Sequence, residues 1–269
     1  MDLKNYILSK LADTHSEKAS LSIVSILFED ISHIESISKT EIDQIINRIA
    51  SGEPIQYVTG VAPFYGYFFN VNNDVLIPRP ETEELVYTIE NYIKNEGLES
   101  CKILDIGTGS GCIPIVLSLL FPEAEIVGID ISAKALKLAR SNNLKLQANV
   151  NLIALDILKE NNWRELTNFD IIISNPPYIP DHEKSLMTAS VLDHEPHLAL
   201  FVEDNDPLIF YRKIYSFAEQ TNKKAVIFLE CNEFNAHEVA QIYSPSFTPS
   251  VIKDLQGKNR IVQALRAIK

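Results

Sequence analysis

The sequence predicts an α/β protein in which a mostly parallel sheet follows a small helical domain. From residue 102 onward, short apolar runs alternate with amphipathic stretches, which is typical of a parallel sheet with helices on both faces. The first fifty residues instead show apolar positions at helical spacing. We therefore predict a helical domain over residues 1–52, a linker over 53–80 and an α/β domain over 81–269.

The N-terminal part is predicted to be a small helical bundle. Its apolar residues recur three or four positions apart, a spacing that places them on one face of a helix. Ser20 and Ser38 are placed to cap helices, and Glu41 completes a capping box with Ser38. Gly52 would end the third helix. The apolar positions are Tyr6, Ile7, Leu11, Leu21, Ile23, Val24, Leu27, Ile42, Ile45, Ile46 and Ile49.

The linker has a different composition. Aromatic residues crowd between positions 64 and 69, and Asn72 to Asp74 has the composition of a turn. We therefore expect a β-hairpin whose two strands are joined by these three polar residues. The rigid segment Pro78-Arg79-Pro80 follows, and a helix is predicted to begin over Glu81–Tyr92.

The remaining chain is predicted to alternate between strands and helices. We expect strands at Lys102–Ile106, Glu125–Asp130, Val150–Leu155, Asp170–Ser174, Ala225–Glu230, Ser250–Leu255 and Arg260–Leu265. We expect helices at Gly111–Leu120, Ala133–Asn142, Pro207–Glu219 and Phe234–Tyr243. Because successive strands are joined by helices, they should run parallel in one sheet.

The charge balance favours some classes of partner over others. Acidic side chains outnumber basic ones by 36 to 24, for a net charge of −12. Non-specific binding to nucleic acid depends on clustered Lys and Arg, so we expect no direct nucleic-acid binding and favour a partner with a basic surface. The N-terminal residues mix charges into a helical pattern, and no stretch is long and apolar enough to span a membrane. We expect a cytoplasmic monomer.

The cysteine and histidine residues predict neither a disulfide framework nor a metal site. Cys101, Cys112 and Cys231 are odd in number and lack CxxC spacing, which favours a reduced protein. His194 and His197 are three residues apart, but Pro196 between them interrupts a regular helix. We therefore expect no metal.

A glycine-rich loop joins the first predicted strand of the sheet to its helix. It comprises Gly107, Thr108, Gly109, Ser110 and Gly111, and Asp105 precedes it at the end of the strand. Glycines let the backbone turn sharply and let a ligand approach without a Cβ in the way. The pattern is GxGxG, whereas loops that hold a dinucleotide pyrophosphate prefer GxGxxG.

Three aspartates at strand ends suggest what the loop binds. Asp105 is placed to hold an α-ammonium group, directly or through water, and Asp130 ends the next strand, where a carboxylate commonly binds ribose hydroxyls. Asp156 follows the third strand, where it would either accept from an adenine amino group or simply cap a strand end. A cationic, ribose-bearing adenosine with an amino-acid tail is S-adenosylmethionine, which we predict as the cofactor.

The segment Asn175-Pro176-Pro177-Tyr178 is the most informative motif. It follows a short apolar strand, and its two prolines stop the strand abruptly and leave the chain extended. An amide oxygen, a free backbone carbonyl and an aromatic face together suit a planar group that carries an NH2. An ordinary exit from a strand into a loop is the simpler interpretation of two prolines alone.

These motifs together resemble the HemK/PrmC family of protein-glutamine N5-methyltransferases. The resemblance rests on DIGTGSG at 105–111, NPPY at 175–178 and LIPRPETEEL at 76–85, of which PRPETE is the most discriminating. Further matching segments are Gly52–Gly60, Glu195-Pro196 with Ala199-Leu200, Phe210-Tyr211-Arg212 and Asp254–Arg260. The resemblance implies a Rossmann-like class I S-adenosylmethionine-dependent methyltransferase with a seven-stranded, mostly parallel sheet.

The resemblance also implies a substrate and a role for each site residue. Members of this family methylate the glutamine of the Gly-Gly-Gln tripeptide in class I peptide chain release factors, which supports translation termination. Residues 107–111 and Asp130 would then bind S-adenosylmethionine, and residues 175–178 would hold the glutamine. Members often carry a tryptophan where this chain has Ile157, so any adenine contact there would be apolar; Trp163 is assigned no role.

The predicted chemistry needs only acceptors and alignment. Asn175 Oδ1 and the Pro176 carbonyl would accept both N–H bonds of the substrate amide, while Tyr178 packs against the amide plane and excludes water. Asn175 would also touch the cofactor. Arg79 and the acidic run over residues 81–84 would either contact the ligand or serve as a helix-capping run favoured by the helix dipole.

Two alternatives from other classes remain. A nucleic-acid methyltransferase acting on an exocyclic adenine or guanine NH2 shares the NPPY motif, but it needs a flipped base and a positive groove. A protein that binds a nucleotide or S-adenosylmethionine without chemistry would leave the NPPY motif unexplained.

Overall fold

The computed structural model describes residues 2–31 and 36–266. Four helices open the chain, namely α1 Leu3–Leu11, α2 Glu17–Asp30, α3 Lys39–Ala50 and α4 Ile55–Thr59. A hairpin of β1 Val61–Phe64 and β2 Tyr67–Asn70 follows and leads into α5 Pro80–Glu96. The division of the chain at residues 52 and 80 stays a prediction, although the element types change near both positions.

The α/β part contains the following elements. Its strands are β3 Lys102–Ile106, β4 Glu125–Asp130, β5 Val150–Ala154, β6 Ile171–Ser174, β7 Ile179–Pro180, β8 Phe201–Val202, β9 Val226–Glu230, β10 Phe247–Lys253 and β11 Asn259–Arg266. Its helices are α6 Cys112–Leu120, α7 Ala133–Lys145, α8 Ala189–His194, α9 His197–Leu200, α10 Ile209–Thr221 and α11 Ala236–Tyr243. Short 3-10 helices occur at Glu160–Glu165 and Asp181–Leu186.

Seven strands form the main sheet in the order β10-β11-β9-β6-β3-β4-β5. The five strands from β9 to β5 in that order are parallel, and β11 pairs antiparallel with both β9 and β10. This arrangement confirms the predicted fold class of a mostly parallel seven-stranded sheet. One apolar core packs α5 and α6 against the sheet, and a second contains residues of α10 and α11.

The helical part has its own core. Its buried side chains come from α1, α2 and α3, and Val58 of α4 joins them. The predicted capping box is present, because Ser38 and Glu41 exchange bonds at the start of α3. The predicted cap at Ser20 is wrong. Helix α2 begins four residues earlier, where the Ser16 side chain accepts from the Ala19 amide at 3.3 Å, and Ser20 is buried inside the helix.

The hairpin is present, but its predicted turn is wrong. Phe64 pairs with Tyr67, so the turn consists of Tyr65 and Gly66, both with positive φ. A two-residue hairpin loop favours such angles because their twist matches that of the strands. Asn72 to Asp74 forms a separate turn after β2, in which Asn72 Oδ1 accepts from the Asp74 amide at 3.0 Å. Polar composition identified a turn there but not the strands that it joins.

Candidate active site

The two predicted motifs meet at the point where the strand order reverses. Strands β3 and β6 are neighbours in the sheet, and the strands that follow each of them extend in opposite directions. The last residues of these strands, Ile106 and Ser174, are paired, and the Ser174 hydroxyl donates to the Ile106 carbonyl at 2.7 Å. Ligands of open α/β sheets bind beyond the carboxyl ends of the strands at such a point. A cavity of about 330 Å³ opens there.

The glycine-rich loop forms one wall of this cavity. Gly107, Thr108, Gly109 and Ser110 line it. Gly107 and Gly109 have φ of +78° and +54°, and there is open space where their Cβ atoms would be, so a ligand can approach the backbone closely. Gly111 has no such space, because a Cβ there would lie 2.9 Å from Ile115 Cδ1. The third glycine therefore serves the packing of α6.

A fourth glycine supports the loop from below. The Gly107 and Thr108 amides donate to the Ile129 carbonyl of β4, at 2.9 and 3.0 Å. A Cβ on Gly128, one residue earlier, would lie 2.9 Å from Thr108 Oγ1. Sequence reasoning missed Gly128, because nothing local in β4 signals that the glycine-rich loop crosses over it.

Asp130 lies in the cavity wall at the end of β4. Its Oδ2 accepts from the Gly109 amide at 2.9 Å, and its Oδ1 accepts from the Ser132 amide at 2.8 Å. Burial raises its pKa, and these backbone donors oppose the rise. Each carboxylate oxygen can still accept a second hydrogen bond. The residue is therefore held in place and retains acceptor capacity for hydroxyl groups.

Asp105 lies beneath the loop and is not part of the cavity wall. It is 1 % exposed, and neither of its oxygens has a hydrogen-bond partner within the described residues. Burial raises its pKa to about 7, and the nearby Thr108 hydroxyl opposes part of this rise. The Thr108 hydroxyl is also buried and has no partner of hydrogen-bonding geometry in the described part of the chain. A buried carboxylate and a buried hydroxyl that both lack hydrogen-bond partners among the described residues lie beside an open glycine loop. This arrangement fits a cationic ligand with polar groups.

Asp156 lies in the cavity wall and also caps a turn, while its contact with an adenine amino group stays a prediction. It lines the cavity, but its Oδ1 accepts from the Leu158 amide at 3.0 Å and its Oδ2 lies 3.4 Å from Lys159 Nζ. These contacts make it the cap of the turn that follows β5. The adjacent Ile157 also lines the cavity, and its carbonyl accepts from Trp163 Nε1 at 2.8 Å. Trp163 therefore supports the wall from the core.

Asn175 is held by a side-chain hydrogen bond across the cavity edge. Its Nδ2 donates to Thr82 Oγ1 at 3.1 Å, and Thr82 Oγ1 in turn donates to Glu230 Oε2 at 2.7 Å. Within the described chain, no hydrogen bond reaches Asn175 Oδ1 or the Pro176 carbonyl. Asn175, Pro176 and Pro177 all line the cavity. The segment thus presents two acceptors beside the glycine-rich loop to which no described residue donates.

Tyr178 does not line the cavity. Its ring packs against the core that contains α10, and burial raises its pKa. Phe210 of α10 supplies the aromatic side chain in the cavity wall instead. The sequence motif could not separate these two rings, because the direction of Tyr178 depends on how the chain turns after the two prolines. A contact between Tyr178 and the substrate amide stays a prediction.

A segment remote in sequence completes the wall. Pro196, Leu198 and Ala199 line the cavity, and Leu198 is 62 % exposed. The buried Glu195 next to them accepts from Arg79, whose Nη2 lies 2.6 Å from Oε1 and 2.7 Å from Oε2. Site reasoning from the sequence missed this segment, although Glu195-Pro196 contributed to the family resemblance.

The residues of the acidic run after Arg79 make different contacts. Thr82 lines the cavity, as Arg79 does. Glu83 Oε1 accepts from the Tyr65 amide at 2.7 Å, and Glu84 Oε2 accepts from the Leu255 amide at 2.9 Å. The two glutamates therefore attach the hairpin and the loop between β10 and β11 to α5.

Two kinds of feature are absent from the described residues, namely a group of potential metal ligands and a membrane-spanning helix. Across residues 2–31 and 36–266, no group of three or more His, Cys, Asp or Glu side chains could hold a metal ion. Over the same ranges, no helix has the length and apolar character needed to cross a membrane.

Comparison with known proteins identifies the class of this site. The family of methyltransferase domains matches residues 98–247. The catalytic domain of hMettl16 has the same fold, with a TM-score of 0.58 at 14 % identity over 75 % of this chain and 76 % of that one. The fold and site thus define a class I methyltransferase that uses S-adenosylmethionine.

Sequence relatives narrow the class to one family. A release factor glutamine methyltransferase of Bacteroides thetaiotaomicron is 42 % identical over 236 residues, which cover 87 % of this chain and 83 % of that protein. One from Flavobacterium psychrophilum is 39 % identical, covering 86 % of this chain and 81 % of that protein. The chain belongs to the release factor glutamine methyltransferases, which confirms the resemblance found in the sequence.

Proposed function

We propose that this protein transfers a methyl group from S-adenosylmethionine to the side-chain amide nitrogen of the glutamine in the Gly-Gly-Gln tripeptide of class I release factors. One observation carries the proposal: among the residues that the structure describes, nothing donates to Asn175 Oδ1 or to the Pro176 carbonyl, and both lie at the switch point of the sheet. A primary amide has two N–H bonds, and two acceptors held at one edge match that requirement.

The residues of the glycine-rich loop and its surroundings fit the cofactor. The open positions at Gly107 and Gly109 admit a close approach to the backbone, and Asp130 offers acceptors for ribose hydroxyls. Asp105 supplies negative charge for an α-ammonium, directly or through water. We assign the contact with the adenine amino group to Asp156, beside which Ile157 offers an apolar surface. When bound, S-adenosylmethionine supplies a methyl group activated by a sulfonium.

The protein's own contribution is orientation and electrostatics. An amide nitrogen is a poor nucleophile because its lone pair is delocalised into the carbonyl. Hydrogen bonds from both N–H groups to Asn175 Oδ1 and Pro176 O raise electron density on that nitrogen and fix its direction, in a site where the dipoles are already oriented. Alignment of the reacting atoms supplies about 7 kcal/mol or more. The proton lost from nitrogen passes to water or to a carbonyl, so no Cys or His nucleophile is required.

The release factor is proposed to dock on the helical domain over residues 1–52. Leu21 of α2 is 50 % exposed and offers an apolar contact there. The net charge of −12 favours a basic protein partner over nucleic acid. We further propose a cytoplasmic monomer, and the three cysteines, all free and buried, suit a reducing compartment.

Methyl transfer to defined acceptors tests the proposal. The protein is incubated with methyl-labelled S-adenosylmethionine and with a release factor, the same factor carrying Gln→Ala in its tripeptide, or DNA and RNA. We expect label on the unaltered factor alone, located by mass spectrometry on the glutamine side chain. Label on nucleic acid, or equal label on the Gln→Ala factor, would overturn the proposal.

A further inference from the structure

A chain of side-chain hydrogen bonds runs from the candidate active site into the core. It links Asn175 at the end of β6, Thr82 in the first turns of α5 and Glu230 at the end of β9. Thr82 and Glu230 are 3 % and 2 % exposed. Neither residue belongs to the NPPY motif or to the glycine-rich loop, and 148 residues of chain separate them.

The direction of these bonds determines how the Asn175 amide is turned. A threonine hydroxyl has one proton, and an ionised carboxylate can only accept. The Thr82 hydroxyl therefore donates its one proton to Glu230 and can only accept a hydrogen bond from Asn175. The donor in the Asn175 side chain is Nδ2, so Nδ2 must face Thr82 and Oδ1 must face away from it.

Protonation of Glu230 would permit the opposite orientation of the Asn175 amide, which does not suit the substrate. If Glu230 carried a proton, it could donate to Thr82, and the Thr82 hydroxyl would then be free to donate to Asn175 Oδ1. The amide would turn, and Nδ2 would face the cavity. A substrate NH2 group would then meet a donor in place of an acceptor.

The surroundings of Glu230 shift its protonation to near neutral pH. Burial raises its pKa to about 7. Arg260 of β11 and Arg79 oppose the rise, as does the hydrogen bond from Thr82, whereas Glu81 adds to it. Further titratable groups near Glu230 are Tyr178, Tyr211, Cys112 and Cys231, and the negative charge of Glu230 raises the pKa of each.

We propose that Thr82 and Glu230 are positioning residues, which hold the Asn175 amide in the orientation that presents Oδ1 to the substrate. This inference rests on the proposed function, because it assigns the acceptor in that reaction its orientation. Thr82 and Glu230 themselves need not touch substrate or cofactor.

Substitutions at Thr82 test the proposal through kinetics. Thr82→Val keeps the shape of the side chain and removes the hydroxyl, whereas Thr82→Ser keeps the hydroxyl. We expect Thr82→Val to lower kcat by about 10- to 100-fold. The upper end of this range equals the loss expected when the oriented Asn175 acceptor is removed altogether. KM for the release factor and affinity for S-adenosylmethionine should change little. Thr82→Ser should restore most of kcat.

A matched control lies on the same helix. Thr88 of α5 donates its hydroxyl to the Glu84 carbonyl at 2.8 Å and does not line the cavity. Thr88→Val also removes a partly buried hydroxyl, and we expect wild-type turnover. Turnover of Thr82→Val equal to that of Thr88→Val would overturn the inference.

The pH profile distinguishes orientation from a structural role. In the wild type, kcat should rise as Glu230 loses its proton, with an apparent pKa near the value of about 7 given by burial. Glu230→Gln cannot ionise, so it should show a lower kcat and lack this limb. If Thr82→Val fails to fold, Glu230→Gln provides the test in its place. An unchanged limb and unchanged kcat in Glu230→Gln would contradict the proposal.

A spectroscopic measurement separates this inference from the proposed function. The side-chain amide resonances of Asn175, assigned by their loss in Asn175→Ala, should titrate with pH in the wild type and not in Glu230→Gln. This experiment needs no substrate. If release factors prove not to be methylated, the titration still decides whether Glu230 controls the orientation of the Asn175 amide. If the resonances do not titrate, that control is overturned, while the proposed methyl transfer is unaffected.

Discussion

Arg79 and Glu195 are joined across 116 residues of chain, with Arg79 Nη2 lying 2.6 Å from Glu195 Oε1. The Glu195 side chain is 2 % exposed and that of Arg79 is 35 % exposed. The pair attaches the segment that contains Pro196, Leu198 and Ala199 to the start of α5. Arg79 thus contributes to the cavity wall both directly and by holding the segment that follows Glu195.

Removal of Arg79 should destabilise the protein and loosen the cavity wall. Arg79→Ala leaves a buried carboxylate unpaired, and we expect the free energy of unfolding to fall by about 2 kcal/mol, less than for a fully buried pair because Arg79 is partly solvated. Adding Glu195→Gln should recover part of the loss. Urea denaturation measures both. As a control, Lys94→Ala breaks the exposed Lys94–Glu90 pair and should cost less than about 0.5 kcal/mol. Equal costs for the two single variants would contradict a structural role for the Arg79–Glu195 pair.

Loss of the Asn175 side chain should act on turnover. Asn175→Ala removes the oriented acceptor, and we expect methyl transfer to fall by at least about 100-fold while affinity for S-adenosylmethionine changes little. Single-turnover assays and calorimetry check the two quantities. Asn149→Ala, at an exposed position between α7 and β5, serves as control. Near-normal turnover in Asn175→Ala would refute the proposed mechanism.

Loss of the Asp130 carboxylate should act on cofactor binding. Asp130→Ala removes the acceptors for ribose hydroxyls and the bond that holds the Gly109 amide. Since hydrogen bonds to a charged group contribute about 1.5–3 kcal/mol, the dissociation constant should rise about 10- to 100-fold in calorimetry. Glu125→Ala, at the other end of β4, should bind normally. Unchanged affinity in Asp130→Ala would exclude the ribose assignment.

Asp105 should make the stability of the ligand-free protein depend on pH. Its folded-state pKa of about 7 lies above the usual value of 3.8, so the folded state holds a proton that the unfolded state releases. The contribution of Asp105 is therefore most favourable at low pH and is lost as pH rises from about 4 to about 7. Asp105→Asn, which needs no proton, should remove this loss, so it should be stabilised by about 1 kcal/mol or more relative to wild type at pH 8.

The same substitution should impair binding. A neutral amide gives no charge to an α-ammonium group, so Asp105→Asn should weaken S-adenosylmethionine binding at pH 8 while the folded state gains stability. Thermal unfolding at pH 5 and pH 8, with calorimetry of the same samples, measures both effects. A variant that is less stable than the wild type at pH 8 would contradict the buried, partnerless state of this carboxylate.

Local sequence patterns predicted the central elements closely. Strands β3 and β4 have the predicted bounds, because each is a run of mostly apolar residues that ends at a polar residue or a glycine. The glycine-rich loop and the NPPY motif were also recognisable without the fold, since glycine spacing and a proline pair restrict the backbone by themselves. Their convergence followed from the rule that parallel strands carry ligands at their carboxyl ends.

Short-range sequence patterns were therefore sufficient to predict most elements, the two motifs and the family. The packed fold was needed to show that Asn175 bonds to Thr82 of α5 and that Arg79 holds Glu195. It was also needed to show that Phe210 lines the cavity while Tyr178 packs against the core. This difference arises from distance along the chain. Helix and strand patterns arise from neighbours a few residues apart, whereas these contacts join residues brought together only when the sheet and its helices pack.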